Sequence, residues 1–245
     1  MNEKKYVIEL ATSDFLTTKS AVEGGADRIE LCANLAEGGV TPSYGHIRKS
    51  RDAFAIPIYP IIRPRGGDFL YSTDEFEIML YDIKLCKQLG CDGVVIGLLN
   101  SNGSIDIKRT SLLVETVYPL GVTFHRAFDR CRDPFEAMEQ LIGIGCERIL
   151  TSGQKPNAND GAELIAQLNS NANERIIIMP GSGVRKENVK LLAEQTGCVE
   201  FHSSLRGRIK SNMEFVHSAF SDSEESYMNN AVDVNEVKAF RKALF

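Results

Sequence analysis

The chain has 245 residues, of which 43% are hydrophobic and 25% charged, and its formal net charge is -5. This composition is that of an ordinary soluble globular protein, and the absence of a basic block excludes a surface built to grip nucleic-acid phosphates. No apolar run approaches the roughly 20 residues that cross a bilayer, so a membrane is excluded as a partner as well.

Short apolar runs alternate with longer segments of helical period. In chain order the pattern predicts a strand at Tyr6–Leu10, a helix over 14–24, a strand at Arg28–Cys32 and a helix over 42–53. Next come Pro57–Ile62 with helix 73–89, Gly93–Leu98 with helix 105–117, and Gly121–His125 with helix 133–144. The last units are Glu147–Thr151 with helix 157–168, Arg175–Met179 with helix 186–196, and Val199–Ser203 with helix 232–243. Eight strands alternating with eight helices imply parallel βαβ crossovers, and at about 250 residues the arrangement expected is a single (β/α)8 TIM barrel spanning 1–245. A doubly wound sheet would want a glycine fingerprint after the first strand, where Glu9-Leu10-Ala11-Thr12-Ser13 stands instead.

Local signals agree with the barrel. Ser72 and Glu75 form a capping box, and Asp133 caps a helix whose first residue is Pro134. Four helices run into the next strand through a glycine and a small residue: Gly25-Ala26, Gly90-Cys91, Gly145-Cys146 and Gly197-Cys198. A glycine ends a helix in the left-handed conformation, and this turn belongs to the N-terminal face, the one devoted to stability. The stretch 204–231, rich in Ser, Asn and Glu, is long for a loop and is expected to be functional or mobile. The N-terminal residues enter a strand pattern without a secretory apolar stretch, and the six cysteines show no CxxC pair, which places the chain in a reducing cytoplasm.

The polar residues of the strands cluster at their C-terminal ends, where barrel enzymes carry their chemistry. Glu9, Glu30, His125 and His202 are the candidate acid–base groups, since an imidazole titrates near neutrality and burial raises a carboxyl toward it. Strand alternation puts Glu30 with Cys32 and His125 with Thr123 on shared faces. Arg63 and Arg65, flanking Pro64 and followed by Asp68, are suited to bidentate grips on an anion. Gly181-Ser182-Gly183 after the seventh strand and Ser203-Ser204 after the eighth mark a candidate anion site, extended by Arg126 and Ser152. Against these functional assignments stands a plainer one, a structural ion-pair network filling the barrel mouth. No lysine lies in a predicted strand, which disfavours Schiff-base chemistry, and the histidines have no zinc spacing.

Cys91, Cys146 and Cys198 occupy the small slot of the repeated turn and are expected to pack at the stability face, with Cys86 packed from its helix. Only Cys32 and Cys131 fall on the ligand face, where two thiolates together could hold copper(I), a soft ion.

Several segments resemble the CutC family: Gly25-Ala26-Asp27-Arg28-Ile29-Glu30-Leu31-Cys32, Glu37-Gly38-Gly39-Val40-Thr41-Pro42-Ser43, Ile62-Arg63-Pro64-Arg65-Gly66-Gly67-Asp68-Phe69, Val122-Thr123-Phe124-His125-Arg126-Ala127-Phe128-Asp129, Leu150-Thr151-Ser152-Gly153-Gln154 and Phe201-His202-Ser203-Ser204. The resemblance runs from the first strand to the eighth. It implies a cytoplasmic (β/α)8 barrel associated with copper homeostasis, binding copper(I) through cysteine, with Cys32 matching a family cysteine considered as a ligand. Two expectations therefore stand side by side. One is a copper-homeostasis protein using Cys32 and Cys131. The other is a metal-independent isomerase, epimerase or lyase acting on a small anionic or phosphorylated metabolite. The partner is accordingly a copper ion or such a metabolite, and association into a homo-oligomer is left open.

Overall fold

The computed structural model describes residues 6–220 and 227–245. Eight barrel strands run β1 Val7–Thr12, β2 Arg28–Leu31, β3 Ile58–Pro60, β4 Gly93–Ile96, β5 Gly121–Phe124, β6 Arg148–Thr151, β7 Ile177–Pro180 and β8 Glu200–Ser203. The helices between and after them are α1 Phe15–Gly24, α2 Tyr44–Ala53, α3 Thr73–Gln88, α4 Ile107–Val117, α5 Pro134–Ile144, α6 Ala162–Ala172, α7 Val189–Thr196 and α8 Val234–Leu244. The strands pair in parallel in two arcs, β3-β2-β1-β8 and β4-β5-β6-β7. A parallel bridge between Ile61 and Val95 joins the arcs on one side, and β7 packs beside β8 on the other, closing the predicted barrel.

Alternation along each strand divides the interior into two environments. Ile8, Leu10, Ile29, Leu31, Phe124 and Phe201 point outward and pack under the helices. The intervening residues point inward, where a small apolar group of Cys32, Tyr59, Ile61 and Val95 meets a set of buried charges. Gly93 and Gly121 are needed here, because a Cβ on either would fall within 2.3 Å of the Tyr59 ring or its hydroxyl.

The expected caps form. Ser72 and Glu75 close a capping box on α3, and the Asp133 carboxylate accepts from the amides of Phe135 and Glu136 at the start of α5. The four turn glycines all adopt positive φ, from 70° at Gly197 to 96° at Gly25. Cys86, Cys91, Cys146 and Cys198 are buried and free of disulfides.

Two segments depart from expectation. Helix α6 starts at Ala162 and continues to Ala172, several residues later than the predicted 157–168. Asn157 accepts from the Asp160 amide in a side-chain turn that competes with helix, and the true stop is left-handed Asn173. The stretch 204–231 contains an antiparallel hairpin, β9 Arg206–Lys210 against β10 Met228–Val232, in place of an irregular loop. Seventeen residues separate its strands, so no short turn signal announced it; residues 221–226 lie outside the described part of the chain.

Candidate active site

The lower half of the barrel interior is filled by ion pairs. Arg28, the first residue of β2, donates to the Glu9 carboxylate and, at 2.6 Å, to Glu200. Arg148, in the same slot of β6, donates to Glu200 at 2.6 Å and to the Thr123 hydroxyl at 3.2 Å. Tyr59 lies beneath both guanidiniums and donates to Glu147 at 3.1 Å. Burial works against charge on Glu9, but Arg28 and His202 overcome it and hold the carboxyl well below its ordinary range. Arg28 and Arg148 went unrecognised as interior residues because they stand at strand starts. Their shared slot, Asp/Glu-Arg-Ile after the glycine turn, was the available signal.

Above this layer the barrel opens into a cavity of about 550 Å³. His202 links the two levels. Its Nδ1 lies 2.8 Å from Glu9 Oε1, and since an ionised carboxylate only accepts, Nδ1 carries a proton. Its Nε2 faces Glu30 at 3.6 Å and the cavity. Burial opposes charge on His202, but the Glu9 hydrogen bond and the charges of Glu30 and Glu9 raise its pKa. Burial pushes Glu30 up to about 7, with His202 partly opposing. Glu30 and His202, 3.6 Å apart, therefore titrate as a coupled pair. Gly181 keeps its place for packing: a Cβ there would press on His202 at 3.3 Å and on Leu150 at 2.4 Å.

Of the predicted acid–base groups, Glu30, His125 and His202 line the cavity, whereas Glu9 lies wholly buried one level below and positions His202. Arg63, Arg126, Ser182, Gly183, Ser203 and Ser204 also reach the cavity wall. Their roles shift, however. The Arg63 guanidinium is held by the carbonyls of Glu37, Gly39 and Gly67. Ser182 donates to the Pro156 carbonyl and Ser203 to that of Val184, so these hydroxyls fasten loops and are not free for an anion. Arg126 is bound to Asp129 and Ser152, and Ser152 is buried behind it. Arg65 and Asp68 do not join the site. Arg65 turns outward to Glu75, Asp68 and backbone carbonyls, because the glycines after it let the loop fold back on itself. Three arginines that sequence reasoning missed line the cavity: Arg130 and Arg185 after β5 and β7, and Arg206 at the start of β9. No carboxylate among the described residues pairs with Arg130 or Arg185. Nothing in their spacing set them apart from other loop cations.

Backbone strain marks the same rim. Asn34, Gln154, Ser182 and Leu205, in the loops after β2, β6, β7 and β8, all have positive φ without being glycine.

The cysteines fit copper(I) poorly. Cys32, just past β2 and two residues beyond Glu30, is fully buried beside Tyr59, Ile61 and Val95, and burial together with the Glu30 and Glu9 charges raises its thiol well above the ordinary range. Cys131 packs in the outer layer, with Gln154 donating to its sulfur at 3.6 Å, and burial lifts it to about 12. The group of potential ligands that does converge, Glu9, Glu30 and His202, contains oxygen and nitrogen but no thiolate, and its Glu9 is already committed to Arg28.

Among solved structures the chain resembles the "Putative Copper Homeostasis Protein CutC" of Streptococcus agalactiae, with TM-score 0.78 and 34% identity over 81% of this chain and 98% of that one. Phosphoribosyl anthranilate isomerase from Thermococcus kodakaraensis, at TM-score 0.61 and 14% identity over 98% of both chains, shares the barrel fold. No helix among the described residues is long and apolar enough to cross a membrane. A protein of the CutC family from Chromobacterium violaceum is 44% identical over 97% of this chain and 98% of its own, and one from Bacteroides fragilis is 48% identical over 96% of each. The CutC family profile matches residues 6–207, and the chain belongs to the CutC family.

Proposed function

We propose that the chain is a barrel enzyme of the isomerase, epimerase or lyase type that moves a proton on a small anionic metabolite without a metal. The observation that carries this reading is the Glu30–His202 pair at the cavity floor, poised near neutrality and oriented from below by Glu9. A general base works best with a pKa near the operating pH, and a carboxylate behind an imidazole fixes its tautomer and strengthens it. Arg130 and Arg185 on the cavity wall, without a carboxylate partner among the described residues, supply the attraction for an anion. A copper(I) role, which the name of the S. agalactiae protein suggests, would rest in this chain on Cys32 and Cys131. Their burial and raised thiol pKa values speak for packing instead.

The test is a thermal-shift screen of small phosphorylated and carboxylated carbonyl compounds, followed by proton NMR in D2O. A true ligand stabilises the wild type and loses affinity in the Arg130→Ala/Arg185→Ala variant. Glu30→Gln should still bind it while exchange of the proton next to the carbonyl slows about a hundredfold. Unchanged exchange in Glu30→Gln would remove the pair from the chemistry.

A further inference from the structure

His125 is not used by the Glu30–His202 pair, yet it is closely held on the cavity wall. It follows β5 directly. Its Nδ1 accepts the Ala127 amide at 3.1 Å, so the ring proton sits on Nε2. That Nε2 is buried and has no hydrogen-bond partner among the described residues, although the ring lines the cavity. A buried N–H left unsatisfied is costly, and a ligand that completes the bond removes that cost. The ring is boxed in. Phe69 packs 4.9 Å away, and a Cβ on Gly97 would fall 2.2 Å from its Cε1. Burial and the neighbouring Arg63 charge, itself pinned by three carbonyls, push the imidazole down to about 3 and keep it neutral. A neutral imidazole in this tautomer is a fixed hydrogen-bond donor, not a proton carrier.

We propose that His125 donates from Nε2 to the carbonyl oxygen of the substrate, and that the substrate is a short carbonyl compound carrying a phosphate held by Arg130 and Arg185. The inference rests on the acid–base reading of the same cavity. In the step it completes, His202 Nε2 or the Glu30 carboxylate takes a proton from the carbon next to the carbonyl. The C–H electron pair becomes a carbon–carbon π bond, and the carbonyl π pair moves onto oxygen. His125 holds that oxyanion through its hydrogen bond and keeps its own proton. Return of the proton to the other face gives the epimer; return to the former carbonyl carbon gives the isomer when the substrate's neighbouring hydroxyl passes its proton to the oxyanion and becomes the new carbonyl, and no oxidant or co-reactant is consumed. A donor already in place where charge develops needs no rearrangement at the moment of reaction, the condition under which such a bond contributes most.

The experiment uses two probes of similar size: 2-phosphoglycolate, whose planar carboxylate imitates the enolate, and glycerol 3-phosphate, which has the phosphate but no oxyanion. The wild type should prefer 2-phosphoglycolate. In His125→Leu the preference should fall by about tenfold to a hundredfold, the value of one hydrogen bond to a charged group, with glycerol 3-phosphate binding retained. His125→Gln, which keeps a donor, should recover part of it. On the wild type, 15N NMR of the histidine rings should show a neutral Nε2–H tautomer for His125, whose Nε2 signal moves when 2-phosphoglycolate is added. This second measurement decides the matter if His125→Leu fails to fold. If both probes bind but the preference survives in His125→Leu, or the Nε2 signal stays still, His125 is not the donor and the acid–base reading stands without it. If neither probe binds, the anionic-substrate reading falls, and this inference with it.

Discussion

Arg28, Arg148, Glu9 and Glu200 in the lower barrel, and Glu30, His202, His125 and Arg63 above them, are similar residue types under nearly equal burial. They differ in how completely they are matched. Below, two guanidiniums face two carboxylates, with Thr123 and Glu147 taking further donors. Above, His202 Nε2 meets Glu30 only at 3.6 Å, and among the described residues His125 Nε2 and Arg63 Nε have no partner and Arg130 and Arg185 no carboxylate. Buried charge alone therefore does not mark a site. A saturated network is structure, and the network with bonds left to make is where a ligand belongs.

The largest effect should come from breaking the lower layer. Arg28→Ala leaves Glu9 and Glu200 buried with one cation between them, and loss of one member of such a network costs about 3–5 kcal/mol. Chemical denaturation measures it. A loss below about 1 kcal/mol would mean the lower layer is not the structural one.

Glu30→Gln should act in the opposite sense. The folded-state pKa of Glu30, about 7, stands above its ordinary 4.5, so the folded protein holds a proton that the unfolded chain releases. Its contribution is complete below about pH 4.5 and is lost as pH rises to about 7, by about 3 kcal/mol at most. His202, also raised, adds a loss as pH climbs above its ordinary 6.5. Glu9, held low, runs the other way, its stabilisation present above about pH 4.5 and lost only in stronger acid. Unfolding curves from pH 5 to 8 should therefore fall for the wild type and flatten in Glu30→Gln. Parallel curves would show that Glu30 is ionised throughout.

Gly97→Ala sharpens the comparison within the upper layer. The added methyl meets the His125 ring on a rigid strand end, and overpacking of this kind costs about 1–3 kcal/mol. The same variant should lose the preference for 2-phosphoglycolate over glycerol 3-phosphate. Wild-type stability together with an intact preference would mean that the ring has room to move and is not positioned by the fold.

The saturated layer and the open one were not equally legible in the sequence. The barrel, its caps and its glycine turns follow from local rules, since period, capping and left-handed glycine act within a few residues. The mouth histidines and Glu30 were legible because a polar residue late in an apolar strand has few other reasons to be there. Glu9 looked the same by that rule, and only the partner at the start of the next strand, Arg28, shows that it belongs a level below. The free arginines of the loops were not legible, because which cation is unpaired depends on contacts between segments far apart in the chain. Arg65 and Arg130 read alike in sequence, yet Arg65 is bound to Glu75 and Asp68 whereas Arg130 is left facing the cavity.

The smallest effect is expected at Cys32, and it bears most directly on what the open layer is for. The thiol is fully buried just past the end of β2, packed so closely that a Cβ on Gly39 would stand 3.2 Å from its sulfur. To bind copper(I) it would have to give up its proton beside the Glu30 and Glu9 carboxylates, which together with burial hold that proton on. A second thiol is not at hand in its packing group, because Cys131 belongs to the outer layer. Cys32→Ser should therefore leave copper(I) affinity within about twofold of wild type in titration against a competing chelator, since no soft ligand of a formed site is lost. The Cys32→Ser/Cys131→Ser variant should behave alike. A tenfold or greater loss in the double variant would mean that the barrel mouth rearranges to bring two thiolates together. The unmatched donors above Glu9 would then be the resting state of a metal site, and the proton-transfer assignment of Glu30 and His202 would have to be given up.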